Sequence, residues 1–260
     1  MAGVIGKGLK YKSCFGVLII FICSCSPKPA EKLTIATAAN LQFAIDKLVE
    51  SFTRETGISC ETVVSSSGKL TAQIEAGAPF HVFVSADLKY PKRLSNQGLT
   101  YEEPIIYAFG KLVLWTQNPQ LTPSIKLLQS DSVTSLAIAN PETAPYGLAA
   151  EQALKHYNIY GAVYRKLVYG ESIAQTNQFI SSGAAEVGFT AKSVVLSSAL
   201  ESPGHWIDVD QDAYSPIAQA VVMLKTDQEQ KDASKKFIEY ILSSQGKEIL
   251  DNFGYETSGL

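Results

Sequence analysis

The sequence predicts an α/β protein built as two lobes. Two observations carry that reading: strand-length apolar runs alternate with segments of helical period along most of the chain, and a second such series begins after an apolar stretch at 106–117. At 260 residues and 46% apolar composition the chain is long enough for one large domain or two modest ones.

The first series starts with "KLTIATAAN" at 32–40, a strand that ends in small residues. Leu41, Ala44, Ile45, Leu48, Val49 and Phe52 then recur at intervals of three and four, a helix with one buried stripe. "GISCETVVS" reads as a strand, "GKLTAQIEAG" as a short helix closed by Gly77, "HVFVSAD" as a strand and "LKYPKRLSNQG" as a helix-like segment. Strand, helix, strand, helix, strand is a parallel α/β unit. After 106–117 come the strand "SLAIANPE", the helix "GLAAEQALKHY", the short strand "KLVYG", a helix opened by a Ser172 and Gln175 capping box, and the strand "AEVGFTA". The apolar run 218–225 and a late helix marked by Ala233, Phe237, Ile238, Ile241 and Leu242 finish the chain. Neither a repeat nor a low-complexity tract favours a solenoid.

The first 24 residues have another character. Lys7, Lys10 and Lys12 precede "CFGVLIIFICS", an apolar run too short to span a bilayer as a helix, so 1–24 reads as an export leader. Its end, "FICSC", with Ile22 and Ser24 before Cys25, resembles the bacterial lipoprotein processing signal, which implies lipid on Cys25 as the first mature residue. An ordinary signal peptide or an uncleaved anchor is the alternative. Residues 25–31 form a polar, proline-bearing linker. Removal of the leader's three lysines takes the formal charge from −3 to −6, which argues against nucleic acid as a partner. With Cys14 and Cys23 in the leader and Cys25 acylated, Cys60 stands alone, so neither an intramolecular disulfide nor a cysteine metal site is expected.

In a parallel α/β unit ligands collect at the carboxyl ends of strands, where helices begin with unpaired N–H groups. Four such starts hold donors. "TAAN" ends in Asn40, a candidate cap with an amide to offer; "SSSGK" at 65–69 has Ser66 or Ser67 to cap and Gly68 to admit a ligand to the backbone. "NPETAPYGLAAEQAL" can present the Tyr146 N–H, and "YGESIAQ" the Ile173 N–H once Ser172 is spent on capping. Each also has a plain structural reading, as a helix cap or a surface turn. The four share neutral donors, which suit a fully ionised tetrahedral oxyanion because it offers only acceptors. A protonated phosphate would also need an acceptor, so the set favours molybdate, tungstate or sulfate, a preference tempered by Glu171, which adjoins the fourth start.

At these positions the chain resembles the molybdate-binding proteins of bacterial molybdate ABC importers, most specifically through "SSSGKLTAQIEAGAPFHVFVSAD", and the resemblance spans nearly all of 32–255. It implies the two-lobed periplasmic-binding-protein type II fold, each lobe a mixed sheet flanked by helices, with the ligand in the interlobe cleft. It implies lobe 1 over 32–108 and 217–260 and lobe 2 over 109–216. The family's two ligand serines fall on Asn40 and Ser67, its backbone donors on Tyr146 and Ile173, and a tyrosine that part of the family uses falls on Ala191. These four would touch the oxyanion of molybdate or tungstate rather than the metal itself. The implied protein is an exported, lipid-anchored monomeric receptor facing the periplasm or cell exterior. It would serve an ABC permease, and it would have no catalytic residue and no cofactor. A sulfate or phosphate receptor of the same fold is the alternative. An exported hydrolase is weaker, since His81, His156 and His205 are scattered and no GxSxG elbow occurs. "SSSGK" lacks the upstream glycine of a nucleotide loop.

Overall fold

The computed structural model describes residues 1–4, 6, 32–200, 202, 204–225 and 230–260. Cys25, the leader's apolar run and the 25–31 linker lie outside the described residues. The chain divides into Met1–Glu31 and Lys32–Leu260, and the second of these units holds all the strands and helices of the described residues. Among the described residues no helix is long and apolar enough to cross a membrane.

Two five-stranded mixed sheets organise this unit. The first opens with β1 (Leu33–Ala38), α1 (Gln42–Thr56), β2 (Cys60–Ser65), α2 (Ser67–Glu75), β3 (Val82–Ser85) and α3 (Lys89–Asn96). β1 pairs in parallel with both β2 and β3, each reached through a helix-bearing crossover of the kind that parallel strands need. The stripe read on α1 is buried: Ala44, Ile45, Leu48 and Phe52 pack with Leu33, Ile35, Val82 and Phe237. Gly57 ends the helix in the left-handed conformation (φ 72°).

The apolar stretch 106–117 is two strands, β4 (Ile105–Gly110) and β5 (Leu112–Thr116), which belong to different sheets. The second sheet continues with β6 (Leu136–Ala139), α4 (Pro145–His156), α5 (Tyr160–Val163), β7 (Leu167–Gly170), α6 (Ile173–Ser181), β8 (Val187–Ala191), α7 (Lys192–Val195) and β9 (His205–Asp208). Its order is β7-β6-β8-β5-β9. The chain then returns as β10 (Ile217–Met223), followed by α8 (Lys231–Leu242) and α9 (Ser244–Asn252). β10 runs antiparallel between β3 and β4, completing the first sheet in the order β2-β1-β3-β10-β4. Opposite β10 the register skips Tyr107, because Gln219 faces Ala108 while Ala220 faces Ile106. Such a bulge re-aims the extra side chain.

Candidate functional site

The four helix starts singled out in the sequence surround one small cavity. Asn40, Ser67, Tyr146 and Ile173 line it, with Ala39 and Ala144 among the residues between them. Its space amounts to about 200 Å³ even with the open solvent at its mouth included, below the roughly 300–1,000 Å³ of pockets that take drug-sized ligands. None of its lining residues is charged. The site therefore suits a small ion rather than a sugar or a peptide.

The local sequence explains each donor. Ser66 is the cap of α2: its hydroxyl accepts from the Lys69 N–H at 3.4 Å. Ser67 is thereby the first helical residue, fully buried, and its Oγ accepts from the Ala86 N–H at 3.0 Å. That bond fixes the oxygen and leaves its hydroxyl hydrogen to donate. Pro145 opens α4, placing Tyr146 second, among the N–H groups with no intrahelical acceptor. Ser172 caps α6 and accepts from the Gln175 N–H, so Ile173 is first in its helix. The Gln175 side chain returns to the Glu171 N–H rather than to that of Ser172.

Two local expectations are corrected. Asn40 is not a cap, because Ala38 caps a 3-10 turn over Ala39–Leu41 that precedes α1, and Asn40 sits inside that turn. Its amide instead donates from Nδ2 to Gln219 Oε1 at 2.9 Å and to the Tyr255 hydroxyl at 3.0 Å, while its buried Oδ1 has no partner among the described residues. Gly68 does not admit a ligand either. Its N–H donates to the Thr143 carbonyl at 2.9 Å, and a Cβ there would stand 2.9 Å from Thr143 Cα. The glycine serves the close approach of the two lobes.

That approach is bonded at several points. The Tyr90 hydroxyl donates to the Glu142 carbonyl at 2.8 Å, and the Ser193 hydroxyl to the Asn40 carbonyl at 2.7 Å. Gln219 Nε2 donates to the Tyr146 hydroxyl at 3.1 Å, and Lys69 pairs with Glu171. Glu171, the acid beside the fourth start, is thus matched by a lysine from the other lobe. Ala38, Ala39 and Ala86 share an apolar cluster with Ala144, Tyr146 and Ile173, so the walls of the cavity close on carbon as well as on polar bonds.

Sequence reasoning missed the residues behind the cavity. Gln219, Tyr107, Tyr255 and Ser193 form a buried polar network with Asn40 and Tyr146. Burial pushes the Tyr107, Tyr146 and Tyr255 phenols above their ordinary range, which keeps them as neutral donors. The one signal available was Gln219 itself, a polar residue inside the apolar run "IAQAVVM". Ala191, at the end of β8, is fully buried and is not among the lining residues.

Two mixed α/β sheets with flanking helices, meeting at a small cavity formed by helix starts, make up the two-lobed periplasmic-binding-protein fold. The chain belongs to the bacterial extracellular solute-binding proteins, whose family model matches residues 33–256. It is 36% identical to the molybdate-binding protein ModA of Rhodobacter capsulatus, over 89% of this chain and 90% of that protein. Identity to the protein of the same name from Azotobacter vinelandii is also 36%, over 90% of this chain and 93% of that one. The solved structure of the Azotobacter vinelandii periplasmic molybdate-binding protein superimposes with a TM-score of 0.81 at 34% identity, covering 86% of this chain and 98% of that one.

Proposed function

We propose that this protein is an extracytoplasmic receptor that binds molybdate, and tungstate with it, in the cavity between its lobes and delivers the anion to an ABC importer. The observation that carries this reading is the convergence of four neutral donor positions, Asn40, Ser67, Tyr146 and Ile173, on a cavity of about 200 Å³ with no charged residue in its wall. Helix starts favour negative charge, and with Ser67, Tyr146 and Ile173 each able to supply a donor the site is matched to an ion that only accepts. The names of the relatives support the choice of molybdate.

In this reading lobe 1 comprises 32–108 and 217–260 and lobe 2 comprises 109–216, with the crossings near Lys111 and near 209–216. Binding closes the lobes, and the closed shape is what a permease recognises. Lipid on Cys25 holds the monomeric receptor at the membrane after the 1–24 leader is removed. The protein performs no catalysis and needs no cofactor.

The test is calorimetric titration of the purified protein, stripped of bound anion, with molybdate, tungstate, sulfate and phosphate in separate runs. Tight one-to-one binding of the first two with little response to the others is expected. Preference for sulfate or phosphate moves the substrate within the same fold, and silence from all four refutes the receptor reading.

A further inference from the structure

Asn40 lines the cavity, is 2% exposed, and holds a buried oxygen, Oδ1, that no group among the described residues satisfies. An unpaired acceptor is the wrong group to present to an ion that can only accept. The neighbouring bonds contain the remedy. In the structure Gln219 Oε1 accepts from Asn40 Nδ2 at 2.9 Å and from the Tyr107 hydroxyl at 2.8 Å, while Gln219 Nε2 donates to the Tyr146 hydroxyl at 3.1 Å.

The same atomic positions support a second, inverted set. If both amides turn over together, Gln219 Nε2 donates to Asn40 Oδ1 and to the Tyr107 oxygen, and the Tyr146 hydroxyl donates to Gln219 Oε1. Tyr107 then keeps the Ser85 carbonyl, 3.4 Å away, as the acceptor for its own hydrogen. Tyr255 donates to the new Asn40 oxygen, and the Asn40 carbonyl retains Ser193. Every group of Gln219 stays paired. The position of the orphan oxygen is now an NH2 group, a donor for the anion.

We propose that Gln219 is a positioning residue that sets the polarity of the Asn40 amide, and that a fully ionised oxyanion selects the inverted set. The inference rests on the receptor reading above. It makes the pocket's preference depend on a residue that does not line it. It also ties that preference to lobe closure, because Tyr146, the partner of Gln219 in both sets, comes from the opposite lobe.

The test compares Gln219→Glu and Gln219→Leu with the unaltered protein, by calorimetry with molybdate and with hydrogen phosphate at about pH 8, where both are dianions. The carboxylate introduced by Q219E can only accept, and the donors of Tyr107, Tyr146 and Asn40 around it favour its ionised form. It therefore holds the Asn40 oxygen in the unpaired position, where a protonated oxyanion can use it. We expect the molybdate-to-phosphate affinity ratio to fall by about ten-fold or more in Q219E and to move by less than about three-fold in Q219L. Charge repulsion acts alike on two dianions and cancels in the ratio; loss of packing would show in the thermal midpoint of both variants. An unchanged ratio in a folded Q219E protein overturns the proposal.

Should Q219E not fold, a double-mutant cycle decides. Q219L is expected to cost at least about three-fold less molybdate affinity in an Asn40→Ala background than alone, and additive losses overturn the proposal. Failure of the unaltered protein to bind any tetrahedral oxyanion would instead sink the receptor reading beneath it.

Discussion

Replacing Gly68 by alanine tests whether the contact between the lobes belongs to the bound state. A Cβ at this position would stand 2.7 Å from Tyr90 Oη, 2.9 Å from Thr143 Cα and 3.0 Å from Thr143 Cβ. Carbon atoms pack at about 3.5–4.0 Å, so the lobes must part by about half an ångström or more. That movement strains the Gly68 N–H bond to Thr143, and the Tyr90 bond to Glu142 beside it. Overpacking of this kind costs about 1–3 kcal/mol, and each 1.4 kcal/mol is about ten-fold in affinity. Molybdate should therefore bind about 5- to 150-fold more weakly by calorimetry. With the lobes apart Thr143 is withdrawn and the Tyr90 hydroxyl is released from Glu142, so the methyl group meets no backbone. The melting temperature of the anion-free protein should hold or rise slightly, since alanine reduces the freedom of the unfolded chain by about 0.4–1 kcal/mol. Affinity within two-fold of the unaltered protein would refute the reasoning. So would a loss of anion-free stability as large as the loss of binding, because Gly68 would then serve packing rather than closure.

Ser67→Ala removes a buried hydroxyl donor and should weaken molybdate binding about 10- to 150-fold, the worth of a hydrogen bond to a charged group at about 1.5–3 kcal/mol. It also strands the Ala86 N–H, so the melting temperature should fall by about 2–4 °C for each kcal/mol lost; unchanged affinity removes Ser67 from the site. Glu171→Gln breaks a pair whose side chains are 41% and 68% exposed, and such pairs are worth less than about 1 kcal/mol. Its effect on affinity should stay under about five-fold and fade in high salt; a large, salt-independent loss would mean that Glu171 acts on the anion itself. Burial pushes the Cys60 thiol up to about 11. Iodoacetamide should thus label native Cys60 slowly at neutral pH and progressively faster toward pH 11, the reactive form being the thiolate. The unfolded thiol ionises first, so stability from this group is full below about pH 8.5 and is lost as pH rises through the folded value. Rapid labelling of native protein at neutral pH would contradict this.

Much of the site was legible because parallel strands and the helices after them obey a local rule: the ligand end of the unit is where helices start. Ser67, Tyr146 and Ile173 could be found from the residues that set those starts, namely Ser66, Pro145 and Ser172. Asn40 lines the cavity but is not the cap that the sequence suggested, because two alanines allow a 3-10 turn ahead of α1 and move the cap back to Ala38. The partners of Asn40 were not legible. Gln219 and Tyr255 are separated from it by 179 and 215 residues, and no periodicity marks a pairing over such distances. The split of 106–117 into strands of two sheets is invisible to hydropathy as well, since both pieces are apolar and only their neighbours differ. α9 escaped notice because "SQGKEILDN" is mostly polar and carries Gly246, which its close packing on the Tyr240 and Ile241 carbonyls requires.

The place of β10 bears on the order in which the molecule can be assembled. All strands of the second sheet lie between Leu112 and Asp208, so that lobe is complete in sequence once its last strand has left the ribosome or crossed the membrane. The first sheet has no such independence: β4 joins β3 only through β10, the final strand to emerge. Until then β3 carries an open edge of the kind that other chains can pair with. The lobe begun first is therefore finished last, and the strand that seals it is the same one that carries Gln219 to the back of the cavity.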